Sequence, residues 1–279
     1  RGLLQGVLQD LTTSRPGIVM VAAPGNGGDS AEHARMFLSR NEPQRLYLRA
    51  HGATPAVYVE AWQDAGVTSR VRPLFPRNNA GDLGPFGFDW VEEGAFAFEP
   101  IGGGPVADLS AFVDYTDAPS PTYEDLDEFF AVFTQAGDLT VPLSDHIFAL
   151  EFEGEGIVDA YVHEGTFVQR PSDPDAVMPD GFMTISAPAD ADLIIAATSV
   201  VTRSVWPGID GNLWTSEGAG VGERSTFASI GPRRDGYEKP DIAAPGEFVV
   251  APLSAGAIYS FDDTRIAPDG SYAVLRGTS

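Results

Sequence analysis

Ile18-Val19-Met20-Val21-Ala22-Ala23, followed at once by Pro24-Gly25-Asn26-Gly27-Gly28-Asp29, is the stretch on which the reading of the fold turns. Six apolar residues without a polar break predict a strand buried on both faces, as in a parallel sheet. The glycine-rich turn stands at the strand's C-terminal end, where ligand chemistry gathers in such sheets. Upstream, Leu3, Leu4, Val7, Leu8 and Leu11 form one helical stripe and predict a helix over 1–14, ended by Arg15-Pro16-Gly17. Helix, buried strand and glycine-rich loop together read as one α/β crossover unit.

Downstream the texture changes at about residue 43. Arg45–Arg49, Ala56–Trp62, Gly94–Phe98, Leu109–Tyr115, His146–Phe152 and Ile157–His163 are short runs, many alternating or rich in β-branched and aromatic residues. Gly, Pro, Asn and Asp separate them. Such spacing predicts an inserted antiparallel β-sandwich over 43–168. Within it, Tyr123–Phe133 reads as a short acidic helix, capped by Thr122 or near Ser120. Past residue 182, Ala191–Thr198 is again a buried parallel-type strand, and Phe248–Pro252 and Ser271–Leu275 are further strands. The expected architecture is α/β: a parallel-sheet, three-layer part made of 1–42 and 169–279, with the sandwich inserted.

At 279 residues the chain can hold two modest domains with real cores. Forty Asp and Glu against 17 Lys and Arg leave a net charge of −23. That balance argues against a nucleic-acid partner, which needs a basic face, and against anionic membranes. The absence of cysteine excludes disulfides and thiolate metal sites. No run of 18 apolar residues predicts a membrane span.

Three regions in order, the third running from Phe227 to Ser279, then resemble the subtilisin-like serine peptidases, the subtilases. Val19–Gly28 is similar to that family's apolar strand followed by Ala-Ala-Gly-Asn-x-Gly, here with the extra Pro24. Ile185–Ala197 is similar to its Pro-Ala stretch and following strand. Phe227-Ala228-Ser229-Ile230-Gly231-Pro232 and Lys239-Pro240-Asp241-Ile242-Ala243-Ala244-Pro245-Gly246 resemble two of its extended motifs, and Gly277-Thr278-Ser279 its nucleophile motif. Gly181–Ile185 and Ala187–Ala189 resemble the subgroup with a jelly-roll-like insert, related to the clostridial germination proteases. The resemblance covers about 1–30 and 182–279.

It implies a serine endopeptidase that cleaves a protein or peptide substrate through an acyl-enzyme on Ser279. Asn26 would donate to the oxyanion hole; alternatively Asn26 is a positive-φ turn residue between glycines. The family's Asp and His motifs would lie upstream, so the chain reads as cut from a longer frame at both ends and inactive alone. The alternative is an inactive subtilase-fold relative that binds or signals. The resemblance also implies a secreted or cell-envelope, bacterial-type location.

His51-Gly52-Ala53-Thr54 shares letters with the family's His motif but sits beside a sandwich strand. No cofactor is needed for this chemistry. Structural calcium is an option at Asp173, Asp175 and Asp180 or at Asp262, Asp263 and Asp269, the alternative being solvated loops. Trp206 and Trp214 could line a cleft or simply pack. Tyr47, Tyr58, Trp62 and Trp90 could form a carbohydrate- or protein-binding face on the sandwich, or its core.

Overall fold

The structure, a computed structural model, describes residues 3–64, 66–77, 82–85, 88–101, 109–116, 126–135, 142–216, 218–254, 256 and 261–279. It divides into two compact units, one of Leu3–Ser30 with Phe182–Ser279 and the other of Ala31–Gly181. Among the described residues no helix is long and apolar enough to cross a membrane.

The first unit is built on a four-stranded sheet in the order Met20–Ala22, Ile194–Val201, Ile242–Pro252, Tyr272–Arg276. The first three strands run parallel and the last antiparallel. The two apolar runs thus pair as parallel neighbours, with Val21 opposite Ile195 and Thr198 opposite Ala243. The expected α/β three-layer architecture is nevertheless wrong. Strand is the dominant regular structure among the described residues, most of it in antiparallel sheets, and one α-helix, Leu3–Ser14, is found among them. Parallel strands need long crossovers, usually helical. Here the link from Val201 to Ile242 carries Pro207, Gly208, Gly211, Gly218, Gly220, Gly222, Gly231, Pro232, Gly236 and Pro240. That composition has no helical stripe and forms loops and a small hairpin, Val205–Pro207 with Leu213–Thr215. The burial expected on both faces is absent as well: Val19 and Val21 are 71% and 59% exposed.

Lys239 and Asp241 sew the central strands together. The Lys239 ammonium is buried and donates to the Ile194 carbonyl (2.6 Å) and to Asp241 Oδ2 (2.7 Å). The same carboxylate oxygen accepts the Ala196 N–H at 2.7 Å. Burial works to raise the Asp241 pKa, but these hydrogen bonds and the lysine's charge outweigh it and hold the carboxyl below its usual range.

The second unit is a β-sandwich. One sheet runs His33–Leu38, Gly156–His163, Ala56–Asp64, Leu126–Gln135, Leu109–Thr116, Phe96–Ile101. The other holds Gly165–Phe167, Gln44–Ala50, Phe148–Gly154 and Ser69–Pro76, with two short strands at its end. Their inner faces share one core, in which Phe129 meets Phe152 and Phe75 meets Phe133 and Phe148. Gln63, fully buried, is satisfied by the Val67 carbonyl, the Tyr115 hydroxyl and Ser69 Oγ. The predicted helix at Tyr123–Phe133 is a strand, Leu126–Gln135, and its proposed caps lie outside the described residues. Leu126, Phe129, Phe130 and Phe133 fit a helical stripe. Phe129, Ala131 and Phe133 equally fit a strand, and pairing on both sides decides for the strand. Strand His33–Leu38 and the segment 169–181, assigned above to the catalytic part, belong to this unit.

His33 fastens the two chain ends of the sandwich. Its carbonyl accepts the Asp180 N–H (2.8 Å), and its ring touches Asp180 Oδ1 (2.7 Å) and Asp159 Oδ1 (3.4 Å). Arg35 completes the group on Asp159. Burial alone would lower the His33 pKa, but hydrogen bonds to Asp159 and Asp180 and their charges reverse this and raise it above 6.5.

Because the folded-state value is raised, the protonated ring's stabilisation is fully present below the unfolded pKa and is lost as pH rises through the folded one. Relative to its intrinsic base-catalysed rate, amide exchange of strands 33–38 and 156–163 is therefore expected to quicken from neutral to alkaline pH. His33→Gln should flatten that dependence and cost about 1.5–3 kcal/mol. Lys239→Met removes the donor shared by the Ile194 carbonyl and Asp241 and should lower stability by about 1–2 kcal/mol, read from the urea midpoint of the first unit.

Candidate active site

The loop 24–29 is held by chain some 160 to 250 residues away in sequence. Ser186 donates its N–H (2.9 Å) and its hydroxyl (3.1 Å) to the Pro24 carbonyl. Ser229 donates its N–H to the Gly25 carbonyl (3.0 Å) and accepts the Gly27 N–H on its hydroxyl (3.0 Å). Gly28 donates to the Phe227 carbonyl at 2.9 Å. These approaches explain the glycines. A Cβ on Gly25, whose φ is 113°, would meet Ser229 Oγ at 2.8 Å; one on Gly28 would meet the Ala228 carbonyl oxygen at 2.2 Å. The left-handed turn falls on Gly25 and not on Asn26, which removes the turn-residue explanation of that asparagine.

The last strand brings Gly277-Thr278-Ser279 to the same place. Gly277 donates to the Gly246 carbonyl at 2.9 Å. Gly246 itself has no room for a side chain, since a Cβ there would meet Ser199 Oγ at 2.6 Å and the Gly277 carbonyl oxygen at 2.7 Å. Thr278 then clamps Asn26. Its N–H donates to Asn26 Oδ1 at 3.0 Å, and its hydroxyl lies 3.1 Å from the Gly25 carbonyl and 3.2 Å from Asn26 Oδ1. With Oδ1 accepting, the Asn26 Nδ2 amide is the donor left for a ligand. Ser279 is the next residue and is exposed. Asn26 and the Gly-Thr-Ser segment, 252 positions apart, are thus joined by direct hydrogen bonds.

Other candidates fall elsewhere. All four histidines belong to the sandwich unit. His51 sits in a turn closed by the Thr54 N–H, and His33 is locked between carboxylates. Asp173 is engaged by Arg45 and Tyr47, and Asp180 by His33. Among the described residues no three His, Cys, Asp or Glu side chains are grouped to hold a metal. Trp206 stacks on Phe248 at 4.5 Å and donates to the Thr264 carbonyl, and Trp214 donates to Asp210, so both serve local packing. Sequence reasoning missed Thr278, Ser186 and Ser229. Their signal is weak: small hydroxyl residues that become meaningful only when glycine loops converge on them.

No protein-family model and no curated protein matches the chain. Among solved structures, the Clostridium perfringens CspB protease superposes with a TM-score of 0.66 at 19% identity, covering 99% of this chain and 48% of that one. The chain therefore shares the fold of about half of that protein.

Gly28→Ala is expected to disrupt the loop, at a cost of about 3 kcal/mol, because the obstructing atom is backbone. Gly17→Ala, where nothing lies within 4 Å but φ is 93°, should cost only about 1 kcal/mol. Urea midpoints of the two variants check the contrast.

Proposed function

We propose that this chain contributes the nucleophile and an oxyanion donor to a subtilisin-like serine endopeptidase. The observation that carries the reading is the clamp of Thr278 on Asn26, which fixes an amide donor next to Ser279. Chemistry of this kind needs a donor set in place before negative charge develops, because a preorganised dipole costs no reorganisation at the moment of reaction. The order of the sequence motifs and the fold shared with a protease support it.

In this mechanism Ser279 Oγ attacks the carbonyl carbon of a peptide bond and its proton passes to a general base. Asn26 Nδ2 and the Ser279 N–H take the oxyanion. The C–N bond then breaks, the amine leaves with the proton, and water hydrolyses the acyl-enzyme. The unit holding Ser279 contains no histidine, and we place the base and its orienting carboxylate on polypeptide outside these residues, as the resemblance implies. Without them the chain alone turns over no substrate. We further propose a protein substrate and a secreted or cell-envelope setting, with no cofactor in the chemistry.

The test uses the complete gene product. A fluorophosphonate probe should label it, and Ser279→Ala should abolish labelling. Asn26→Ala should lower kcat by about 10²–10³-fold with KM little changed. Labelling that survives Ser279→Ala, or an Asn26→Ala enzyme with undiminished kcat, removes the proposal. A complete product that never labels supports a binding or signalling role for the fold instead.

A further inference from the structure

The six-stranded sheet of the sandwich has an outer face of unusual composition. Strand register places Phe98, Phe112, Val132 and Tyr58 in one row, and Phe96, Asp114, Phe130 and Glu60 in the next. The row after that carries Glu128 and Trp62. Alternation along each strand sends Phe129, Ala131 and Phe133 into the core, so these rows point outward. Tyr58 and Phe130 stack at 6.2 Å, and Phe96 and Phe98 remain 73% and 58% exposed. Aromatic surface gathered in this way marks an interaction site.

Charge identifies the occupant. Glu60, Asp114 and Glu128 stand among the rings. Asp114 and Glu128 have no hydrogen-bond or ion-pair partner among the described residues, and Glu60 faces His163 at 3.6 Å. Burial pushes the Glu128 carboxyl above its usual range, and repulsion from Glu60 and Asp114 adds to it. Like charges set close on a sheet face oppose folding. Beyond His163 on Glu60, little positive charge is at hand to relieve them: residues 31–181 contain 26 Asp and Glu, eight Arg and no Lys. Of the arginines, Arg35 is held by Asp159, Arg40 by Glu155, Arg70 by Glu153, and Arg45 and Arg72 by Glu151. A neutral sugar could stack on the rings but would leave the carboxylate repulsion in place. A polypeptide with cationic and apolar side chains answers both features, and a cation over these rings gains further attraction.

We propose that this face docks an extended polypeptide segment that carries both Lys or Arg and apolar residues on one face, its cations reaching Glu60, Asp114 and Glu128 and its apolar side chains covering the aromatic rows. Four strands about 4.8 Å apart give room for roughly five extended residues. This inference goes beyond the peptidase reading and stands or falls separately from it.

The whole chain is titrated with a fluorescein-labelled peptide of Lys-Lys-Leu-Leu repeats, each face of which carries both residues when extended, beside a peptide with Glu for Lys and an acetyl-lysine version. Only the Lys-Lys-Leu-Leu peptide should bind, at micromolar affinity and more weakly in high salt. Asp114→Asn combined with Glu128→Gln should weaken binding at least about tenfold. The same pair should leave the urea midpoint equal or higher, because repulsion is removed, so lost binding is not lost folding. Equal binding of all peptides, no binding, or binding indifferent to the double variant overturns the proposal. A neutral oligosaccharide that binds this face in place of the peptide reassigns it to carbohydrate. Concentration-dependent dimers broken by Phe98→Ser, with no peptide binding, reassign it to a second copy of the chain.

Discussion

The first unit depends on one buried ammonium, that of Lys239, and on the groups that satisfy it. Lys239 cannot be hydrated where it lies, so it must be satisfied by the chain, and it is: by the carbonyl that opens one strand and by the carboxylate that opens the next. Asp241 returns the contact to the first strand through the Ala196 N–H. This exchange fixes the register, with Ala197 opposite Ile242 and Ser199 opposite Ala244. A shift of one residue would strand the ammonium and both backbone groups, a penalty of several kcal/mol. Register in turn decides where Gly246 arrives. It comes against Ser199, close enough that its own side chain must be a hydrogen, and there it receives Gly277. From Gly277 the clamp on Asn26 is one residue away. A pair at one end of two strands thus positions the candidate site near the other.

Much of this arrangement was legible in the sequence because it is made by residues with narrow physical roles. Glycines that allow backbone to touch backbone, a lysine and an aspartate either side of a proline, and an uninterrupted apolar strand leave few alternatives. Asn26 and Gly277-Thr278-Ser279 could be singled out together, and the structure joins them. What could not be read was the agent of the join. Thr278 looks like any threonine; its N–H and hydroxyl acquire meaning only once Gly25 and Asn26 lie across from it.

The misreadings share one cause. Short apolar segments fit two periodicities, and local pattern cannot choose between them. Leu126–Gln135 became a strand because two neighbours on either side offered matching ladders, a long-range fact. The helical layers expected around the parallel sheet followed from the apolar character of its strands. Yet the connecting sequence is too rich in Gly and Pro to supply them, and that composition was the better guide. His33 has no motif around it, and only its place between Asp159 and Asp180 makes it the fastening of the sandwich.

The net charge of −23 is unevenly divided between the two units. Most of it belongs to the sandwich unit, where lysine is absent altogether. A solubilising role asks for hydrated carboxylates, free to keep their ordinary acidity and distant enough to be screened. Glu128 has neither freedom: it is partly buried among aromatic rings and repelled by two neighbours. Charge kept where it is costly requires a different account from charge kept where it is harmless. The account that fits both the rings and the carboxylates is a surface completed by positive charge from elsewhere. The long-range field of so acidic a unit would also draw a cationic segment toward it before any contact forms.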